Sequence, residues 1–340
     1  MHKKLIVLLG SLVAIIAVIF AAIYGLKSID SSSKKSSSNS TTIRLGLMTN
    51  SGGQYLAAIA KKEGYFSKYN LKVKTTTFSS GIETVNAITT KQLDIGYVAD
   101  FAALNRFGSS SKSNLKIFAK LSSSGGSGVK LYTTKDIGSL ADLKGKNVLT
   151  SKGTVTEYWV AKTLKKAGLK ESQVNLLSVE TGQEGLALMK SGKASAVWAS
   201  GQDAEKLEKT GKFKVLTTQG KITSPTLAFA ISNKKFLKEH PKAAIAYLKA
   251  INDSIKLVHS HPQKAAKIVS SALNVPKKTV LATFKSTNFK INFDQSTYND
   301  LKSIYKYLAA SGKLKHTYSI NKYLDTTTLK KAISGSVSYK

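Results

Sequence analysis

Cysteine is missing from all 340 residues. Its absence excludes disulfides, cysteine-ligated metals, thiol nucleophiles and lipid attachment through an N-terminal cysteine. Arginine is almost missing too: of 52 basic residues only Arg44 and Arg106 are arginines. Acidic residues number 19, which leaves a net charge of +33 at neutral pH. Proteins that read nucleic acid concentrate arginine and interleave aromatic residues with it. The lysines here are spread evenly, mostly where a solvated helix face would place them, so nucleic acid is not an expected partner. A diffuse positive field suits a chain held near an anionic surface, a membrane or a polyanionic cell wall. Solubility alone would also account for it.

Catalytic patterns are missing as well. Of the five histidines, His259 and His261 are two apart and so do not share a helical face. His240 precedes Pro241 at a helix start. No serine elbow, HExxH pair or phosphate-loop lysine occurs, and no cluster has metal-ligand spacing. The chain is therefore read as a non-enzyme with no cofactor and no metal.

What is present begins with a long apolar run. After the basic "MHKK", residues 5–26 are apolar apart from Gly10, Ser11, Tyr24 and Gly25. As a helix rising about 1.5 Å per residue, this run spans roughly 30 Å, the thickness of a bilayer's hydrocarbon. It is longer than the apolar core of a signal peptide, and "AAIYG" is a poor cleavage site. The expectation is a membrane anchor over residues 1–27, one transmembrane helix with its N-terminus in the cytoplasm. A flexible serine-rich linker follows over residues 28–42. The folded part then starts near Ile43 and is extracellular, tethered at the cell membrane. A cleaved signal peptide is the alternative.

The folded part says one thing twice. "SSGIETVNAITTKQLDIGYVAD" occupies residues 79–100 and "ETGQEGLALMKSGKASAVWAS" residues 180–200. Each reads as a capped helix, a turn carrying lysine, and a strand ending in an aromatic. Ser80 and Thr181, Glu83 and Glu184, and Tyr97 and Trp198 share an offset of 101 residues, as do Thr49 and Thr150, and Gly52 and Gly153. Ser80 with Glu83, Thr154 with Glu157, and Thr181 with Glu184 have the spacing of capping boxes. Strands are expected at 43–48, 71–78, around "LDIGYV", at 147–150, at 174–179 and around "ASAVWA", with helices between them. That is βαβαβ written twice, the unit of a doubly wound α/β sheet. Further strands are expected at 116–121 and 129–133. The run from 234 to about 329 reads as helical and is expected to pack back on the first half. Two connections between the halves make a hinge.

In such sheets ligands meet the chain outside the carboxyl ends of strands, at helix N-termini. Those places read "NSGGQ", "SSGI", "ADF", "SKGT", "ETGQ" and "ASGQD". They supply neutral donors that suit a small anionic head group or polar molecule that must later be released. For any one hydroxyl, helix capping is the plainer role. Asp100 either meets an amine or caps the next helix, Glu157 partners Thr154, and Asp203 is the third carboxylate near a strand end. Tyr97 and Trp198 either close over an apolar part of a ligand or lie buried in their sheets.

The phrases "AKKEGYFSKYNLKVK", "KQLDIGYVADFAAL", "SLADLKGKNV", "SKGTVTEYWVAKTLKKAGLKESQVNLL" and "KKFLKEHPKAAIAYLKA" resemble, in this order, the solute-binding proteins of bacterial ABC transporters. The branch is the nitrate, sulfonate and taurine type, which includes binders of thiamine-pyrimidine precursors. The resemblance runs roughly from residue 43 to 261. It implies a two-lobed periplasmic-binding-protein-like clamshell with mixed sheets, lobe 1 over 43–132 and 225–333 and lobe 2 over 133–224, closing on a solute by hinge motion. Carried over by motif, the ligand-facing residues are Asn50, Ser51, Gly53, Gln54, Ser80, Gly81, Asp100, Gly153, Thr154, Thr156 and Trp198. The implied partners are a small-molecule solute, an ABC permease with its ATPase and, through the N-terminal helix, the membrane; an anionic cell wall is a further candidate, and the chain is expected to be a monomer.

Two departures matter. Gram-positive relatives are generally lipoproteins, and this chain has no cysteine for that. The family often places aspartate directly after the tryptophan of the second-lobe strand, whereas Trp198 is followed by "ASGQD". The leading expectation is capture of a sulfonate-, taurine- or nitrate-like solute. A pyrimidine-like heterocycle as ligand, a cationic surface adhesion protein, and an enzyme on this fold are the other readings.

Overall fold

The computed structural model describes residues 40–110 and 113–339. The expected anchor and most of the linker lie outside those residues. No helix among the described residues is long and apolar enough to cross a membrane.

Twelve strands form two sheets among the described residues. They are β1 (Thr41–Met48), β2 (Leu71–Phe78), β3 (Ile95–Ala99), β4 (Leu115–Ser124), β5 (Lys130–Thr134), β6 (Asn147–Thr150), β7 (Asn175–Ser178), β8 (Ala196–Ala199), β9 (Phe213–Thr218), β10 (Thr226–Asn233), β11 (Thr287–Asp294) and β12 (Val337–Ser338). The larger sheet runs β12-β11-β4-β10-β3-β1-β2, the smaller β7-β6-β8-β5-β9. In the larger sheet β1 lies parallel between β2 and β3. In the smaller, β6 lies parallel between β7 and β8. The next neighbour is antiparallel in both, β10 beside β3 and β5 beside β8. The repeat seen in the sequence is thus a repeat of topology.

The chain passes between the sheets twice, from β4 to β5 through 125–129 and from β9 to β10 through 219–225. β5 and β10 are therefore strands that each sheet receives from a crossing segment. Both crossings end inside a sheet, so each is anchored in hydrogen-bonded backbone on both sides.

Side-chain alternation explains the cores. Leu131 and Val148 face one side of the smaller sheet with Val160 and Trp198. Their strand neighbours Tyr132 and Leu149 face the other with Met189 and Leu207. Successive strand residues point to opposite faces, and both faces are covered by helices, so both must be apolar. The larger sheet has a single extended core containing Phe101, Phe118, Phe229, Phe289 and Phe293.

The segment expected to be helical up to about 329 is broken by a strand. β11 joins the larger sheet antiparallel to β4. Phe289, Ile291 and Phe293 are buried every second residue, a period of two that should have marked a strand. The helices around it, among them Pro241–Ser260, Pro262–Leu273, Lys277–Ser286 and Gln295–Ala310, follow the expectation.

Tyr97 on β3 shows how one ring sets the approach of a helix. Its hydroxyl shares a 2.6 Å hydrogen bond with Ser122 Oγ, and its ring lies under Gly53 at the start of the helix Gly52–Lys62. A Cβ at Gly53 would stand 2.4 Å from Tyr97 Cγ, closer than any carbon contact allows. Gly53→Ala should lower stability by about 1–3 kcal/mol through overpacking, read as a shifted urea midpoint. Adding Tyr97→Leu should restore part of the loss; an unmoved midpoint in the single variant would contradict the contact.

Candidate functional site

Four helices start directly beyond the carboxyl ends of parallel strands: Gly52–Lys62 after β1, Gly81–Thr89 after β2, Val155–Lys166 after β6 and Gly182–Lys190 after β7. All four use the same clasp. The cap hydroxyls of Ser51, Ser80, Thr154 and Thr181 accept from backbone N–H groups of the first turn, at 3.2 Å (Gln54), 3.4 Å (Glu83), 3.2 Å (Thr156) and 3.2 Å (Glu184). The side chain of the third helical residue reaches back to the N–H before the cap. Gln54 Oε1 accepts from Asn50 at 2.8 Å, Glu83 Oε2 from Ser79 at 3.0 Å, Glu157 Oε2 from Gly153 at 2.8 Å and Glu184 Oε2 from Glu180 at 2.9 Å.

The clasp decides what remains for a solute. The expected hydroxyls of Ser51, Ser80 and Thr154 already cap their helices. The N–H groups of the first two residues are left without acceptors in the Ser51-, Ser80- and Thr181-capped helices, and only that of Val155 in the Thr154-capped one, where Thr154 takes the second N–H. Three of the four clasps carry a carboxylate, which offsets the positive end of the helix; only Gln54 is neutral. Asp203 adds a second carboxylate beside the start of Gly182–Lys190, where a Cβ on Gly182 would meet Asp203 Oδ2 at 2.2 Å.

One helix start of each sheet meets the other, the Thr154-capped and the Ser80-capped. Gly153, with φ of 75°, holds a left-handed turn that favours glycine. A Cβ there would stand 3.3 Å from Asn105 Nδ2 and 3.8 Å from Ile82 Cγ1. The loop before Thr154 therefore lies against the start of the Ser80-capped helix. Glu157 uses its second oxygen to accept from Lys313 Nζ at 2.8 Å, and Thr279 Oγ1 donates to Glu205 Oε1 at 2.6 Å. The ring of Tyr158 packs on Phe101 and Tyr307, with centroids 5.9 and 5.0 Å away.

Beside these contacts a narrow recess, with room for about one water molecule, lies between the lobes. Val155, Tyr158 and Trp159 line it from the smaller lobe, Asp100 and Asp300 from the larger, and Thr226 from the end of a crossing segment. Asp100 is fully buried. Its Oδ1 accepts from its neighbour Phe101 N at 2.7 Å and its Oδ2 from Leu227 N at 2.8 Å, so it stitches the end of β3 to the start of β10. Burial pushes its carboxyl up to about 7, with the charge of Asp300 adding to the rise and the two N–H bonds opposing it. Burial also raises Asp300, opposed by Lys120 and assisted by Asp294.

The expected site residues divide accordingly. Asp100 lines the recess. Gly153, Thr154 and Thr156 precede or open the helix that supplies Val155, Tyr158 and Trp159 to it. Asn50, Ser51, Gly53 and Gln54 form their own clasp, with Gly53 on Tyr97, and Gly81 packs on Ala102, Met48 and Val98. Trp198 is 6% exposed and sits in the smaller lobe's core, 5.9 Å from Trp159. Trp159 lines the recess in its place. Tyr158 and Trp159 were readable as aromatics directly after the Thr154–Glu157 box. Asp300 carried no signal, since it lies in a helix that sequence assigns only to packing.

The NMT1/THI5-like family matches residues 49–265. A Bacillus subtilis (strain 168) protein named for binding aliphatic sulfonates is 25% identical over 237 residues, 67% of this chain and 70% of its own length. The taurine-binding periplasmic protein of Escherichia coli (strain K12) is 27% identical over 201 residues, 58% of this chain and 61% of its own. The crystal structure of the periplasmic aliphatic sulphonate binding protein of Escherichia coli superposes with a TM-score of 0.71 at 16% identity, over 83% of this chain and 96% of that one. Its two-lobed periplasmic-binding-protein fold is the fold of this chain.

Asp100 gives stability a particular pH dependence. Its folded carboxyl keeps a proton up to about pH 7, whereas the free side chain loses it near 3.8. The stability tied to that proton is full below pH 4 and is lost as pH rises through 7. Asp100→Ala should cost about 1–3 kcal/mol by leaving Leu227 N–H without an acceptor. In denaturation series from pH 4 to 8, the gap between the two proteins should narrow as pH rises. A widening gap would contradict this account.

Proposed function

The chain belongs to the NMT1/THI5-like family, and from that premise we propose that it is the solute-binding component of an ABC importer. It takes up a small polar or anionic solute, of the sulfonate, taurine or nitrate kind, by closing two lobes over it. It then presents the closed form to a permease and its ATPase. Residues 5–26 anchor it in the membrane, with the folded part outside the cell and monomeric.

The observation that carries this reading is the pair of like units facing each other across a recess. The loop before the Thr154-capped helix of the smaller sheet lies against the Ser80-capped helix start of the larger, and a crossing segment borders the gap at Thr226. Neither lobe encloses the recess alone. Lys313 with Glu157, and Thr279 with Glu205, are contacts that exist only while the lobes are together. A flat heterocycle is the second reading, favoured by the rings of Tyr158 and Trp159 on the recess wall.

The chain has two tryptophans, and of these Trp159 lines the recess while Trp198 is buried behind it. Titration with taurine, ethanesulfonate, nitrate or 4-aminopyrimidine should therefore change tryptophan emission for the member that binds. Trp159→Phe should remove the change and Trp198→Phe should keep it. A silent titration with all four, matched by no rise in melting temperature, would sink the receptor reading. Lys313→Ala should weaken binding several-fold while moving the melting point of the empty protein little, because a partly exposed ion pair contributes only about 0–1 kcal/mol.

A further inference from the structure

Lysine is spread over both lobes, but the carboxylates are not. Residues 133–224 carry nine of the 19 carboxylates against 15 lysines, whereas residues 234–273 set eight lysines against Glu239 and Asp253 alone. The second stretch supplies the helices Pro241–Ser260 and Pro262–Leu273, which pack with Gly52–Lys62 and with each other against the larger sheet. Pro241–Ser260 buries residues around most of its circumference, from Ala243 to Val258. Inside its ends, the exposed residues are Lys242, Lys249 and Lys256. A step of seven residues is nearly two turns, about 10.5 Å along the axis, so the three ammonium groups form one line on the outer face. Lys61 on Gly52–Lys62 and Lys267 on Pro262–Leu273 are exposed on the helices beside it.

The one carboxylate on the long helix is turned to its neighbours. Asp253 accepts from Lys68 Nζ at 2.7 Å and from the Tyr69 hydroxyl at 2.9 Å. It also stands 3.6 Å from Lys256 Nζ, yet the Lys256 side chain stays 71% exposed. Lys242 and Lys249 make no ion pair among the described residues. The chain enters the fold at the edge of this layer. Thr41 N–H donates to the Asn70 carbonyl at 3.0 Å, two residues beyond Lys68. The recess lies past the other end of β1, whose eight paired residues set it about 23 Å away. Between Leu26, where the apolar run ends, and Thr41 lie 14 residues, at most about 50 Å of extended chain.

We propose that the outer face of this helical layer, centred on Lys242, Lys249 and Lys256, docks on a membrane surface of anionic phospholipid headgroups. Exposed ammonium groups with few carboxylates among them are attracted to the phosphates of such a surface, and the attraction fades within a screening length. The bilayer is the favoured partner because the chain enters beside this layer. A short tether keeps these lysines at high local concentration near the headgroups, whereas a free polyanion would meet the lysines of both lobes alike. The proposal rests on the anchor reading of residues 5–26 and does not depend on the solute. It has a mechanical consequence. The docked residues all belong to the larger lobe, so one lobe is held while the smaller remains free to move about 125–129 and 219–225.

The test uses the full chain reconstituted in vesicles of phosphatidylcholine alone, or of phosphatidylcholine mixed equally with phosphatidylglycerol. Brief acetylation is then read lysine by lysine by mass spectrometry. On the mixed vesicles, acetylation of Lys242, Lys249 and Lys256 should slow about threefold or more, with little change at Lys190, Lys209 and Lys212 of the smaller lobe, and high salt should remove the difference. Lys242→Gln, Lys249→Gln and Lys256→Gln together should cut the slowing at Lys61 and Lys267 by about half or more. Lys190→Gln, Lys209→Gln and Lys212→Gln together, an equal loss of charge, should leave it unchanged; melting points check that both variants fold. No slowing, equal slowing in both lobes, or the same effect from both triple variants would overturn the proposal. Flotation with the neutral vesicles in those cases would leave the anchor reading standing, and flotation with neither composition would overturn both. Soluble polyphosphate slowing the same lysines as strongly on neutral vesicles would assign the face to a phosphate polymer and overturn the lipid proposal.

Discussion

A helix that starts where a buried strand ends brings a problem with it: its first N–H groups have no acceptors, and water is partly excluded. This chain meets the problem four times with one device. A cap hydroxyl takes a first-turn N–H, and a glutamine or glutamate takes the N–H before the cap. The device holds the strand ends in place, and with them the mouth of the recess. It also fixes the electrostatics there. Because the back-reaching group is glutamate in three of four cases, most helix starts no longer present a net positive end. The helix-dipole argument for an anionic ligand therefore applies with full force only at the Gln54-clasped helix.

The second constraint is the exchange of strands between lobes. β5 and β10 occupy equivalent places, each antiparallel to the last strand of its βαβαβ unit. A lobe that moves must move with one end of each crossing segment fixed in its sheet, so bending concentrates in 125–129 and 219–225. Asp100 sits at that fixed end, bonded to Leu227 just inside β10, and it also lines the recess. Protonation or partnering of this carboxyl therefore reaches the root of a crossing directly, without a chain of intermediaries.

The repeat was legible because capping boxes and strand ends keep their spacing even when the residues between them change. The two-lobed fold was legible for the same reason, assisted by the family resemblance. Other features depended on contacts between distant segments. β11 was hidden inside a helical neighbourhood, although Phe289, Ile291 and Phe293 alternate as strand residues do. Asp300 faces the recess only because the helix Gln295–Ala310 packs beside the start of Val155–Lys166, which no local pattern announces. Trp198 and Trp159 illustrate the limit. Both are tryptophans near a strand end or helix start, and only the direction of the side chain separates the core residue from the one on the recess wall.

The lysine-rich surface and the acidic recess operate at different ranges. At physiological salt the screening length is about 8 Å, so evenly spread exposed lysines sum to a diffuse attraction toward an anionic surface rather than a field inside the cleft. Within the recess, removal of water makes each charge count for more, and there the nearest titratable groups are Asp100, which keeps its proton up to about pH 7, and Asp300, with Lys120 acting on it. Net charge thus acts at the molecular surface, and local charge at the recess.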